Sequence, residues 1–157
     1  MAELSLARLT EERKTWRKDH PVGFFARPEN NPDGSANLYK WLCGIPGKEG
    51  TPWEGGVYPL SIQFSSEYPS KPPRCSLPPN FFHPNVFPNG DICLSIINES
   101  GWKPSISVKQ IVLGVQELLD TPNTKSPASN AYKIYEKDRV DYNKKVKEQA
   151  KRYPPQL

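Results

Sequence analysis

A chain of 157 residues with 36% apolar content and a mean hydropathy of −0.70 fits a single domain, residues 1–157, with a polar surface and enough length to bury a core. No apolar run approaches membrane-spanning length, Met1-Ala2-Glu3-Leu4-Ser5 lacks the apolar region of a signal peptide, and a net charge of +4 is too mild to argue for nucleic acid. Cys43, Cys75 and Cys93 form no CxxC pair, so neither a disulfide framework nor a zinc site is expected, and a reducing intracellular compartment is.

In chain order, the opening reads as a helix from about residue 4 to 18, ended by Asp19-His20-Pro21. On such a helix Arg13 and Arg17, and Lys14 and Lys18, stand four apart in two adjacent basic rows. Basic rows are usually solvated surface. Here no acid within residues 13–18 offsets the stacked like charges, which favours an acidic partner surface. Strand-like runs follow at about 23–27, 37–43, 57–64 and 74–77, with Asn31-Pro32-Asp33-Gly34-Ser35 as the first turn. In the third, Tyr58, Leu60, Ile62 and Phe64 alternate with more polar neighbours, as in a half-buried strand. Of the eighteen prolines eleven cluster between residues 46 and 104, where long ordered loops are expected.

The second half changes period. Ser107-Val108-Lys109-Gln110 reads as a capping box, and Ile111, Val112, Val115, Leu118 and Leu119 repeat at helical spacing. Asp120-Thr121-Pro122-Asn123 stops that helix, and Ser126-Pro127 is expected to start another, with Ser126 as N-cap. A last helix is expected from about 138 to 152, with Tyr142, Val146 and Ala150 on one face. Strands grouped first and helices grouped last argue for an α+β domain with an antiparallel sheet.

Chemistry concentrates in Phe82-His83-Pro84-Asn85-Val86-Phe87-Pro88-Asn89-Gly90-Asp91-Ile92-Cys93-Leu94-Ser95-Ile96. Pro84 and Pro88 force a stiff irregular loop and Asn89-Gly90 marks a turn. Two readings of this spacing stand side by side. Cys93 is a nucleophile with Asn85 as a neutral donor to a developing oxyanion, or Cys93 is an inert packed thiol and Asn85 caps a turn. A cysteine hydrolase would need a base. Only His20 and His83 exist, and His83 sits between Phe82 and Pro84 in the stiff loop.

His83-Pro84-Asn85 followed by Ile92-Cys93-Leu94 resembles the active-site signature of the ubiquitin-like-protein conjugating enzymes, and helix, four strands, then helices resembles their UBC fold along the whole chain. The resemblance implies that Cys93 carries a modifier's C-terminus as a thioester, that Asn85 assists attack by an acceptor lysine, and that His83 is structural. It implies no metal and no cofactor, ATP being used by the upstream activating enzyme. An activated thioester needs positioning and oxyanion stabilisation rather than a base. The acceptor lysine loses its proton by desolvation, with Phe87, Ala128 and Tyr132 as expected walls.

The Ile45–Gly56 loop and Glu11–Pro21 are similar to the SUMO-conjugating branch of that family. That branch implies SUMO, its activating enzyme, SUMO ligases and lysine-bearing protein substrates as partners. It places Arg13, Lys14, Arg17, Lys18 and His20 against SUMO and the activating enzyme, in a monomer of the nucleus and cytoplasm. A conjugating enzyme for ubiquitin or another modifier is the alternative, and a non-catalytic scaffold a further one. The likeness departs where acceptors are read: Asn89 and Asp91 replace Ser and Thr, Phe87 a Tyr, Ser76 a basic residue and Ser126 an Asp, while Arg74 keeps the other basic position. These residues, with Ala128 and Tyr132, are the expected acceptor surface.

Overall fold

The computed structural model describes residues 2–155. Helix α1 spans Ala2–Lys18, two residues longer at its start than expected. Its inner face is Ser5, Leu9, Glu12 and Trp16, spaced as one side of a helix must be. The buried Glu12 carboxylate accepts from the Val108 N–H at 2.9 Å and from Arg8 Nε at 3.3 Å. An acid on an apolar face is thereby used to bind the start of a second helix. At the C-terminal end His20 stacks on Trp16 at 5.0 Å, and its Nδ1–H donates to the Trp16 carbonyl at 2.8 Å.

Strands β1 (Phe25–Asn30), β2 (Ala36–Pro46), β3 (Val57–Gln63) and β4 (Arg74–Ser76) form one antiparallel meander in chain order. The first strand starts two residues later than expected, and its register shifts between Pro28 and Glu29. Proline supplies no ladder donor, so a break there is expected of an edge strand. The second strand runs three residues beyond the sequence-based limit because Gly44, Ile45 and Pro46 pair with Pro59, Tyr58 and Val57. Trp41, Cys43 and Ile45 share the inner face with Tyr58, Leu60 and Ile62, the alternation visible in the sequence.

Helix α2 (Val108–Asp120) lays Ile111, Val112, Val115 and Leu119 on that face, each 2% exposed or less. The Ser107–Gln110 capping box forms as expected: Ser107 Oγ accepts from the Gln110 N–H at 3.2 Å, and Gln110 Oε1 accepts from the Ser107 N–H at 2.9 Å. The 47–56 loop closes through a Gly47 N–H to Gly56 carbonyl bond of 3.0 Å. A Cβ on Gly47 would lie 1.9 Å from the Trp53 carbonyl, so only glycine fits there. The loop sends Trp53 inward, 2% exposed, stacked on Phe81 and 5.7 Å from the His83 ring. Lys48 ties the same loop to Glu117 of α2.

The expectation of a helix beginning at Ser126-Pro127 is corrected. Helix α3 is Ala131–Lys137, and helix α4, Arg139–Lys151, follows with Asp138 accepting from the Asp141 N–H. Residues 121–130 instead form an irregular strap whose backbone is used by the cysteine loop: the Ser126 carbonyl accepts from Asn85, and the Ala128 N–H donates to the Pro84 carbonyl. Tertiary bonds outbid the local N-cap signal of Ser126. No helix among the described residues is long and apolar enough to cross a membrane.

Candidate active site

The loop from Phe82 to Asn85 is held from four directions. His83 is fully buried; its Nδ1 accepts from the Asn85 N–H at 3.0 Å, which leaves Nε2–H to donate to the Leu118 carbonyl at 2.8 Å. Both ring nitrogens are spent on backbone. Burial pushes its pKa down to about 4, against the smaller pull of its backbone hydrogen bonds, so the ring is neutral near pH 7 and is no general base. Ser129 Oγ donates to the His83 carbonyl at 2.8 Å. Gln149, buried on α4, brackets Phe82, accepting from its N–H at 2.7 Å and donating to its carbonyl at 3.0 Å.

Asn85 is buried, and its amide is committed to the strap. Nδ2 donates to the carbonyls of Asn123 at 2.7 Å and Ser126 at 2.9 Å, and Oδ1 accepts from the Asn123 N–H at 2.8 Å. In this state the side chain braces the loop. Donation to an oxyanion requires one of these two donor bonds to be released, which the sequence did not reveal.

Cys93 follows the turn that begins at Phe87. Gly90 adopts φ +98°, and a Cβ there would stand 2.0 Å from the Leu77 carbonyl. This is the tight approach that the Asn89-Gly90 signal announced. The Leu77 N–H bonds to the Gly90 carbonyl at 2.9 Å, and the Cys93 N–H to the Asn85 carbonyl at 2.9 Å. Thus the backbone of the asparagine directly sets the position of the cysteine. Of the three thiols, Cys43 and Cys75 are buried in β2 and β4, and only Cys93 is partly exposed. Burial raises all three, Cys75 to about 12, Cys43 further with Cys75 as a lesser cause, and Cys93 in the same direction. A thiol raised in this way, with no imidazole free to take its proton, suits a carrier of an already activated acyl group rather than a hydrolase.

Cys93 opens onto a groove of about 470 Å³ that also contains Arg74, Asp91 and Ser126 from the expected set. Asn89 joins through its amide, which bonds the Asp91 carboxylate at 3.2 Å. Phe87, Ala128 and Tyr132 lie outside this groove, and its apolar walls are Pro73, Ile92, Leu94 and Ile97. Phe87 is exposed on the turn, Ala128 lines a neighbouring hollow with Val86 and Pro88, and Tyr132 sits on α3. The Tyr132 phenol is raised first by its hydrogen bond to Glu136. Asn98 and Asn123 also line the groove and were not foreseen. Asn123 had a signal, being the residue after the Pro122 helix stop, where an Asx turn is common. Gln149 had one too, a polar residue on the buried row of α4.

Lys14, Arg17 and Lys18 on α1 and His20 just beyond it are exposed, whereas Arg13 is half-buried with an Nε that finds no hydrogen-bond partner among the described residues. No cluster of His, Cys, Asp and Glu among the described residues could hold a metal ion.

Over residues 8–150 the sequence matches the family described as "Ubiquitin-conjugating enzyme". The chain belongs to that family. Among its relatives is a protein named "Sumo-conjugating enzyme ubc9" from Dictyostelium discoideum, 60% identical over 99% of both chains. Another, "SUMO-conjugating enzyme SCE1" from Arabidopsis thaliana, is 57% identical over 96% of both. In this conjugating enzyme the helix, meander sheet and C-terminal helices expected of the UBC fold are all present.

Proposed function

We propose that this conjugating enzyme is specific for SUMO: it accepts SUMO as a thioester on Cys93 and transfers it to lysines of protein substrates. The modifier's identity rests on near full-length likeness to two relatives whose names state SUMO conjugation. In the first step the Cys93 thiolate attacks the thioester of the charged activating enzyme; a new C–S bond forms and the donor thiolate leaves. In the second, a neutral lysine Nζ attacks the Cys93 thioester, the C–N bond forms, and the Cys93 thiolate departs. The amine's second proton passes to solvent.

Within that reading, Asn85 fixes the cysteine through its backbone carbonyl and shapes the oxyanion side with its amide. The acceptor is received in the groove by Arg74, Asp91 and Ser126, with Asn89 holding Asp91. Ala128, Tyr132 and Phe87 offer apolar contact to more distant parts of the substrate. The exposed cations of α1, Lys14, Arg17 and Lys18, with His20 and the aliphatic part of Arg13, meet SUMO and the activating enzyme. The enzyme needs no metal and no cofactor of its own.

The test is loading with purified SUMO, SUMO-activating enzyme and ATP, beside the ubiquitin pair. We expect a thiol-sensitive adduct with SUMO only. Cys93→Ser should convert it to a thiol-resistant ester, since an alkoxide leaves less readily than a thiolate. Adduct formation that survives Cys93→Ala, or loading by ubiquitin alone, overturns the reading.

A further inference from the structure

Among the described residues Arg74 and Asp91 are the only charged ones lining the groove that holds Cys93, and they are paired with each other. Arg74 Nε donates to Asp91 Oδ1 at 3.0 Å and Nη2 to Oδ2 at 3.1 Å, the two-pronged geometry that saturates a guanidinium edge. Asp91 is pinned a second time: Asn89 Nδ2 donates to Oδ2 at 3.2 Å, and the Asp91 N–H returns to Asn89 Oδ1 at 3.0 Å. Its backbone is pinned as well, the Phe87 N–H donating to its carbonyl at 2.9 Å and Asp91 bridging to Ser76 of β4. The carboxylate cannot readily swing away, and it is the less exposed partner, at 32% against 62% for Arg74.

We infer that this internal pair makes the acceptor groove charge-neutral, so that the enzyme selects lysines whose neighbouring residues are neutral hydrogen-bonding side chains rather than acids. The inference rests on the reading of Cys93 as the conjugating cysteine. An incoming carboxylate could take the paired edge of Arg74 only by displacing Asp91, and at the free Nη1 edge it would meet a cation whose charge Asp91 already neutralises. Neither contact gives net attraction. The remaining polar groups lining the groove, the amides of Asn98 and Asn123 and the hydroxyls of Ser95 and Ser126, favour amide or hydroxyl partners instead.

The experiment uses SUMO-charged full-length enzyme and short peptides carrying a single lysine, with Glu or Gln placed in turn at each nearby position. Single-turnover transfer to each peptide is measured after loading has been quantified. Wild type should transfer to each Gln peptide faster than to its Glu counterpart, by up to about threefold. Asp91→Thr, and Asp91→Asn as the closest isostere, should free Arg74 and yield about a tenfold preference for Glu at one position. Arg74→Gln added to Asp91→Thr should abolish that preference. A wild type that already prefers Glu tenfold, or an Asp91→Thr preference that survives loss of Arg74, overturns the inference. Failure to load SUMO at all would instead overturn the functional reading beneath it, and the loading measurement keeps the two apart.

Discussion

On one side of Cys93 the segment from His83 to Asn85 is buried behind half-buried Phe82, and Leu118, Asn123, Ser129 and Gln149 hold it through six hydrogen bonds to side chain or backbone. On the other side Arg74 and Asp91 stand at the surface, joined by a pair that water can reach. The first wall has nowhere to relax, because each polar group buried without a partner costs about 1–3 kcal/mol. On the second wall a lost partner costs little, because water replaces it. A conjugating enzyme benefits from the division: the reacting thioester needs a fixed frame, while the acceptor side must admit and release many segments. If the division is real, the same type of substitution should have opposite signatures on the two walls.

The largest effect is expected from Asn85→Ala. It strips partners from the Asn123 N–H, the Asn123 carbonyl and the Ser126 carbonyl, and should cost about 3–4 kcal/mol of stability in denaturant melts. SUMO loading and lysine transfer should both fall, since the loop loosened by losing the amide also positions the backbone carbonyl that accepts from the Cys93 N–H. A pure oxyanion donor would behave otherwise: transfer would drop by about 2.7–4 kcal/mol of activation energy with loading and stability intact. Should that second pattern appear, the frame is not over-determined and the contrast between the walls fails.

Next comes the pH response of the fixed wall. His83 is neutral when folded, with a pKa near 4 against an ordinary 6.5 when unfolded. The unfolded chain therefore binds the extra proton between those values. The His83 contribution is fully present above about pH 6.5, declines as pH falls toward 4 and is flat below. The difference amounts to about 3 kcal/mol. Wild type should lose roughly that much stability between pH 7 and pH 4, beyond the loss of His83→Gln over the same range. Parallel profiles for the two proteins would mean the ring is solvated or charged in the native state.

How much of this was readable beforehand follows the same line. The capping box, the alternation of Tyr58, Leu60 and Ile62, and the Gly90 turn were visible because each depends on residues within a few positions of one another. For Asn85 two readings stood open, donor to a developing oxyanion or turn cap; its partners at 123 and 126 lie far along the chain, and no local pattern shows that distance closing. The helix expected at Ser126 failed for the same reason, since its carbonyl is claimed by Asn85. Arg74 and Asp91 stood in the sequence as two separate members of the acceptor surface rather than as one cancelled unit, because β4 and the turn meet only through the sheet edge.

A smaller effect is expected from the basic helix, which shares the open wall's character. Lys14→Glu with Arg17→Glu, both exposed, should weaken SUMO or activating-enzyme binding about tenfold at low salt, roughly 1.4 kcal/mol, and less at high salt as screening grows. Thermal stability should hold. Affinity that ignores both the reversal and the salt would return these rows to plain solvated surface.

Arg74→Ala should move stability least, by less than about 1 kcal/mol, although its ion pair has better geometry than any other side-chain pair on the surface described above. Exposure decides the magnitude. Arg74 is 62% exposed, its attraction to Asp91 acts in a high dielectric, and fixing a long side chain costs entropy that offsets part of the gain. Asp91 loses little when the guanidinium goes, because Asn89 still donates to it and water reaches the rest. Equilibrium unfolding of Arg74→Ala beside Asn85→Ala, under one set of conditions, measures the two walls directly. A cost for Arg74→Ala that rivals the asparagine would show that the acceptor wall is as rigid as the frame, and that its ion pair organises the Asn89–Asp91 turn rather than merely neutralising the groove.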